Sequence, residues 1–180
     1  MNMANGLSMA RLLAAVPLCW LLLSHFYMEA LTLFALASLT DAIDGYVAKR
    51  FHQETELGRY LDPLADKVLL MTAFITLSSI HLIPLWITLI IITRDLLLIG
   101  GVLFSKAMMD VWQVRPLSIS KLNTFFQVVL ILLILLKQGV PALETVVDVH
   151  IWATAVSTIL SFGAYVAQWH FPVKWIQSIK

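Results

Sequence analysis

Apolar residues arrive along this chain in long blocks separated by short polar breaks. A helix needs about 20 mostly apolar residues to cross a bilayer. The blocks run from about 12 to 27, 30 to 48, 62 or 63 to 80, 85 to 104, 122 to 136 and 149 to 168. Pro17 interrupts the first lightly, and the stretch from Asn5 to Arg11 ahead of it predicts a short interfacial segment with Ser8 as a candidate helix cap. His81-Leu82-Ile83-Pro84 predicts a tight turn, residues 105–120 a longer polar connection, and Gly139 with Pro141 a break before the last block. No repeat or low-complexity tract is visible. The expected fold is an all-α integral membrane protein, one domain over 1–180 with six transmembrane helices.

Composition agrees with that pattern. Hydrophobic residues make up 60% of the chain and charged residues 13%, against about 45–50% and about 25% in soluble domains; mean hydropathy is +0.87. The single cysteine, Cys19, excludes an internal disulfide and reads as a packed bystander in an apolar helix. No removable signal peptide is expected, because the N-terminus lacks a short apolar run ending in small residues.

The net charge of +1 matters less than where the charges fall. With the N-terminus on the cytoplasmic side, all of the 12 lysines and arginines except Lys137 and Arg94 lie on that side. This positive-inside bias predicts cytoplasmic N- and C-termini and puts Glu29, Glu144 and Asp148 on the opposite face. No nucleic-acid partner is expected.

Against this oily background, the stretch from Thr40 to Lys67 stands out for its acids. Asp41 and Asp44 are three residues apart, and Asp62 and Asp66 are four apart, so each pair shares a helix face. On antiparallel neighbouring helices the pairs reach one depth at the cytoplasmic end. Carboxylates crowded in a low-dielectric site repel and cannot all stay ionised unaided. Two divalent cations would balance the four charges, and hard oxygen ligands suit Mg2+ or Mn2+ sharing its shell with substrate phosphates. Gly45, directly after Asp44, lets a phosphate or sugar approach the backbone; Gly58, four before Asp62, does the same or permits a turn. Pro63 starts a helix capped by Asp62 or kinks one begun earlier. Single aspartates at helix ends are often caps or dipole partners, and Lys49, Arg50 and Lys67 would neutralise them. Two same-face pairs flanked by glycines argue for a shared site instead.

The run Asp41-x2-Asp44-Gly45-x2-Ala48-Lys49-x8-Gly58-x3-Asp62-x3-Asp66 resembles the signature of the CDP-alcohol phosphatidyltransferases. One position departs: the family usually has arginine where this chain has Lys49, a point charge rather than a bidentate fork. The resemblance implies that Asp41, Asp44, Asp62 and Asp66 bind two divalent metals, with Asp66 also the general base. It implies that Gly45, Ala48, Lys49 and Gly58 line the CDP pocket, and that the protein is a homodimer. It extends over nearly the whole chain. Asn5, Leu7, Ser8 and Arg11 match the family's N-terminal segment. Ile92-Thr93-Arg94-Asp95 and Ile119-Ser120-Lys121-Leu122-Asn123-Thr124, followed by Gln127, look like the cardiolipin synthase branch.

That branch implies transfer of a phosphatidyl group from CDP-diacylglycerol to phosphatidylglycerol, giving cardiolipin and CMP, in the inner or cytoplasmic membrane with the site facing the cytoplasm. The neighbouring alternative uses glycerol 3-phosphate and makes phosphatidylglycerol phosphate. Arg94, mid-span and costly there, is the candidate for holding the acceptor's phosphate, with Arg115 and Lys121 at the rim. The structural alternative pairs Arg94 with a motif aspartate, or Asp95 with a neighbouring helix; as adjacent helical residues the two need not neutralise each other. An intramembrane prenyltransferase also pairs acidic motifs with magnesium, but spaces them differently and has more spans. An ion-coupled transporter would place its acids near the midplane between repeats, and neither feature is present. The scattered histidines form no ligand pair, and His150-Ile151-Trp152 reads as an interfacial anchor.

Overall fold

The computed structural model describes the backbone of residues 3–51, 56–109 and 118–170, and the side chains of residues 9–40, 67–101 and 119–167. The described residues contain six α-helices, one short 3-10 turn and no strand. The helices are α1 (Met3–Leu23), α2 (Tyr27–Phe51), α3 (Glu56–Ser79), α4 (Leu85–Met109), α5 (Ser118–Lys137) and α6 (Glu144–His170), with the 3-10 turn at Pro141–Leu143.

Each apolar block is therefore a helix, and the helices run further than the blocks. α1 starts at Met3, so Ser8 lies inside it and not at its start. Arg11 is buried, whereas Met9 and Ala10 just before it are exposed. α3 starts at Glu56, so Asp62 and Pro63 fall within the helix and not at its start. α4 continues through Ser105 to Met109, and α6 begins at Glu144. Polar residues extend these helices because each backbone bond made inside the helix needs no other partner.

Two ends are fixed by the same device. After α1, the Phe26 N–H donates to the Leu21 carbonyl at 2.9 Å and the His25 N–H to Leu22 at 3.1 Å. After α3, the Leu82 N–H donates to Leu77 at 2.9 Å and the His81 N–H to Ser78 at 3.1 Å. This is the Schellman closure, with His25 at φ 62° and His81 at φ 60° in the place glycine usually takes. It produces the tight turn expected between His81 and Pro84. It also ends the first helix four residues before Tyr27, which instead opens α2.

α1 packs most extensively on α3 and also holds α2, while α5 packs on α6 and α4 on α6. Buried Ala15, Ala30 and Ala73 let α1, α2 and α3 approach closely, and Leu18, Leu22, Phe34, Phe74 and Leu77 fill the space between. In lipid, such packing holds helices together, since the surroundings are as apolar as the core. The exterior shows the complementary pattern. Leu13, Val16, Trp20, Leu36, Phe125, Trp152 and Ile159 all point outward, while Arg94, Asp95, Asn123, Gln127, Thr154, Thr158 and Ser161 are buried. A polar interior beneath an apolar surface suits a hydrocarbon solvent. Among the described residues, Ile119–Lys137 and Pro141–Ala167 are long and apolar enough to cross a membrane, with hydropathies of 2.1 and 1.4.

Candidate active site

The candidate donor site lies where α2 ends and α3 begins. Asp41, Asp44, Gly45, Ala48 and Lys49 lie on the last part of α2; Gly58, Asp62 and Asp66 lie on the first part of α3. Helical backbone at all these positions keeps the three- and four-residue spacings on single faces. From Phe51 to Glu56 is five residues, at most about 18 Å of chain. The two motif halves therefore come to the same end of the bundle, on helices that both pack against α1. The side chains of these eight residues lie outside the described residues, as does Arg115. Four carboxylates are a hard-oxygen donor set, which fits a magnesium-like ion. Among the described residues, no group of three histidine, cysteine or acidic side chains could hold a metal.

One helical turn below this end is a buried ionic cluster. The Arg94 guanidinium is 3% exposed and the Asp95 carboxylate 1%. Arg94 Nη1 donates to Asp95 Oδ1 at 2.6 Å, although the two are neighbours on one helix. The sequence did not require the two to neutralise each other, but the long arginine side chain folds back far enough to reach; the alternative that Asp95 pairs with a neighbouring helix is also met. Lys67, on α3 directly after Asp66, forms an ion pair with the other Asp95 oxygen. Arg94 Nη2 donates to Ser120 Oγ of α5 at 2.9 Å and to Ser161 Oγ of α6. The Tyr165 ring lies 6.0 Å from the guanidinium, a cation–π distance. One cluster thus joins α3, α4, α5 and α6. Lys121 is exposed at the start of α5, one residue from Ser120.

A neutral seam continues from it between α5 and α6. Asn123 is wholly buried, and its Oδ1 accepts from Ser157 Oγ at 2.7 Å and Thr158 Oγ1 at 2.9 Å. Gln127, one turn further along α5, is also wholly buried. Sequence reasoning missed Lys67, Ser161, Ser157 and Thr158 as members of these networks. The visible signal was the spacing of small polar residues, Ser120, Asn123 and Gln127 on α5 against Thr154, Thr158 and Ser161 on α6. The expected anchor at His150 is only partly one. His150 Nε2 lies 3.1 Å from the Phe126 carbonyl and Ile151 is core, leaving Trp152 outside against Trp86.

The family model for CDP-alcohol phosphatidyltransferases matches residues 1–163. The chain belongs to this membrane-associated family of transferases acting on substituted phosphate groups. It is 34% identical over 193 residues to the CMP-forming cardiolipin synthase of Rattus norvegicus, covering 98% of this chain and 63% of that protein. It is 36% identical over 177 residues to a probable phosphatidylglycerophosphate synthase of Mycobacterium tuberculosis, covering 93% and 81%. It is 30% identical over 184 residues to the chloroplastic CDP-diacylglycerol--glycerol-3-phosphate 3-phosphatidyltransferase 1 of Oryza sativa subsp. japonica, covering 92% and 56%. The chain therefore spans less than two thirds of the rat and rice proteins.

Proposed function

We propose that this protein transfers a phosphatidyl group from CDP-diacylglycerol to the hydroxyl of phosphatidylglycerol, forming cardiolipin and releasing CMP. The observation that carries the donor half is the eight-residue signature, divided between the adjoining ends of α2 and α3. Asp41, Asp44, Asp62 and Asp66 would hold two divalent ions, Mg2+ or Mn2+, which supply charge neutralisation at the diphosphate. Gly45, Ala48, Lys49 and Gly58 would hold the CDP group. Asp66 takes the proton from the acceptor hydroxyl. The hydroxyl oxygen bonds to the phosphorus that carries diacylglycerol, and the bond from that phosphorus to the bridging oxygen breaks, so CMP departs with the electron pair.

Arg94, with Arg115 and Lys121 at the rim, serves the acceptor side. Three neighbours hold the guanidinium in place, so it acts as a preorganised cation. The uncharged character of Ser120, Asn123 and Gln127 beside it favours the cardiolipin reading, in which the acceptor carries a singly charged phosphodiester and not a phosphate dianion. The second reading, glycerol 3-phosphate as acceptor, is favoured by the names of the mycobacterial and rice relatives. Six membrane spans, cytoplasmic termini, a site facing the cytoplasm and a homodimer complete the proposal.

Purified protein given labelled CDP-diacylglycerol and each acceptor separately tests it. Cardiolipin from phosphatidylglycerol is expected. Lipid product with glycerol 3-phosphate alone would overturn the acceptor assignment and keep the donor chemistry.

A further inference from the structure

The end of the bundle away from the aspartates holds a separate cavity of about 780 Å3, within the usual range for ligand pockets of about 300–1,000 Å3. Twelve residues of α3 separate Asp66 from Ser78 at the cavity wall, about 18 Å of helix. It is no part of the donor site. Its wall is largely apolar, formed by Ile75, Ile83, Leu89, Ile92 and Ile151 from three helices and the α3–α4 turn.

Two hydroxyls interrupt that wall. Ser78 is 8% exposed and Thr88 2% exposed, and neither Oγ of Ser78 nor Oγ1 of Thr88 has a hydrogen-bond partner. Helical serines and threonines commonly bond back to their own helix, as Ser79 does to the Thr76 carbonyl at 2.7 Å. Both residues stand in the cavity wall with their hydroxyl oxygens covered just beneath its surface, so a ligand acceptor oxygen would satisfy them once the side chain turns toward it. The mouth carries charges of both signs. Lys137 uses one of its three N–H donors on Glu144 at 3.2 Å. Asp148 is exposed and has no hydrogen-bond or ion-pair partner among the described residues. His81 stands at the mouth, held in the left-handed turn. Beside this end, the Trp86 and Trp152 rings pack 5.1 Å apart on the surface, the residue type that marks headgroup depth.

We propose that this cavity binds one aminophospholipid. An acyl chain lies along the apolar wall, its ester oxygens accept from Ser78 and Thr88, the phosphodiester meets Lys137 and His81, and the ammonium meets Asp148. A purely anionic headgroup would satisfy Lys137 and face the Asp148 carboxylate with nothing to offer it. The zwitterion matches both signs.

The test is native mass spectrometry of the full chain released from nanodiscs holding equal phosphatidylethanolamine and phosphatidylmethanol, an anionic diester that has no acceptor hydroxyl for the transfer site. One retained phosphatidylethanolamine per chain is expected, preferred by about fivefold. Asp148→Asn, an exposed change that leaves the core intact, should bring the preference to about unity while phosphatidyl transfer persists. Thr88→Leu, which fills the cavity, should remove the retained lipid. Equal retention of both lipids by the unaltered protein, or an unchanged preference in Asp148→Asn, overturns the assignment. So does near-complete disulfide cross-linking between two chains carrying His81→Cys, which would mean a second copy covers the mouth.

Discussion

The motif end of the bundle and the α4–α6 seam both place polar groups inside an oily protein, by opposite means. At the motif end, the acids come from two segments within one span of 26 residues, Asp41 to Asp66, and helix geometry alone aligns each pair. In the seam, the Arg94–Asp95 contact is local to α4 but the remaining partners come from other helices: Asp95 needs Lys67 from α3, Arg94 needs Ser120 and Ser161 from α5 and α6. Chemistry that must grip one diphosphate demands fixed residue types at fixed spacing. A buried cation demands only that something compensates it, and many arrangements do. The first kind of site is constrained by its ligand, the second by its neighbours.

The comparison breaks most visibly if the two kinds of acid behave alike. Asp66→Ala is expected to lower CMP release from labelled CDP-diacylglycerol by about 10²–10⁴-fold, the range for loss of a general base. Its thermal unfolding midpoint in detergent should not fall, because removing one of several crowded carboxylates relieves repulsion. Full turnover in this variant would remove Asp66 from the proton transfer.

Asp95→Ala should show the reverse emphasis. It strips the counter-charge from Arg94 and Lys67 in a site where both Arg94 and Asp95 are almost wholly buried. Breaking such a pair from one side costs about 3–5 kcal/mol, read as a large drop in unfolding midpoint. Asp95→Asn keeps one acceptor and should fall between the two. A stable Asp95→Ala protein would mean that Arg94 finds its compensation elsewhere.

The same contrast explains what could be read in advance. Helix identities and the donor signature were legible because periodicity and spacing are local. The helix ends were not: α1 includes the polar Asn5 to Arg11 segment, since Arg11 is accommodated inside the bundle, and hydropathy cannot report that. His25 at the turn that closes α1, where glycine is the usual signal, blurred one further boundary, whereas Pro84 kept the His81 turn legible. The Arg94–Asp95 contact depended on a side chain folding back along its own helix, and its other partners depended on how α5 and α6 face α4. The cavity at the opposite end of the bundle had no local signal at all, because its wall draws on α3, α4 and α6, with Lys137 of α5 at the mouth.

Within the seam, Asn123→Leu should have a smaller effect than Asp95→Ala. Asn123 Oδ1 accepts from Ser157 and Thr158, yet each hydroxyl also lies within bonding distance of the Thr154 carbonyl, at 2.9 and 2.7 Å. Both donors retain a partner, so the loss is about 0.5–1.5 kcal/mol, one neutral hydrogen bond. A larger loss would show that the amide, and not the two hydroxyls, organises the seam.

The smallest effect belongs to the ion pair that looks most like Lys67–Asp95 on paper. Lys137 donates to Glu144 at 3.2 Å, but the glutamate side chain is 70% exposed. Water and salt screen that pair, so Lys137→Gln should change stability by about 0–1 kcal/mol. The residual effect should shrink further as salt is raised, whereas the Asp95→Ala loss should barely respond. Two salt bridges of similar chemistry would then differ because one replaces a buried counter-charge and the other replaces solvent. If raising the salt weakens both variants' effects alike, the Arg94–Asp95 cluster is reached by water, and its role becomes that of a hydrated acceptor cradle.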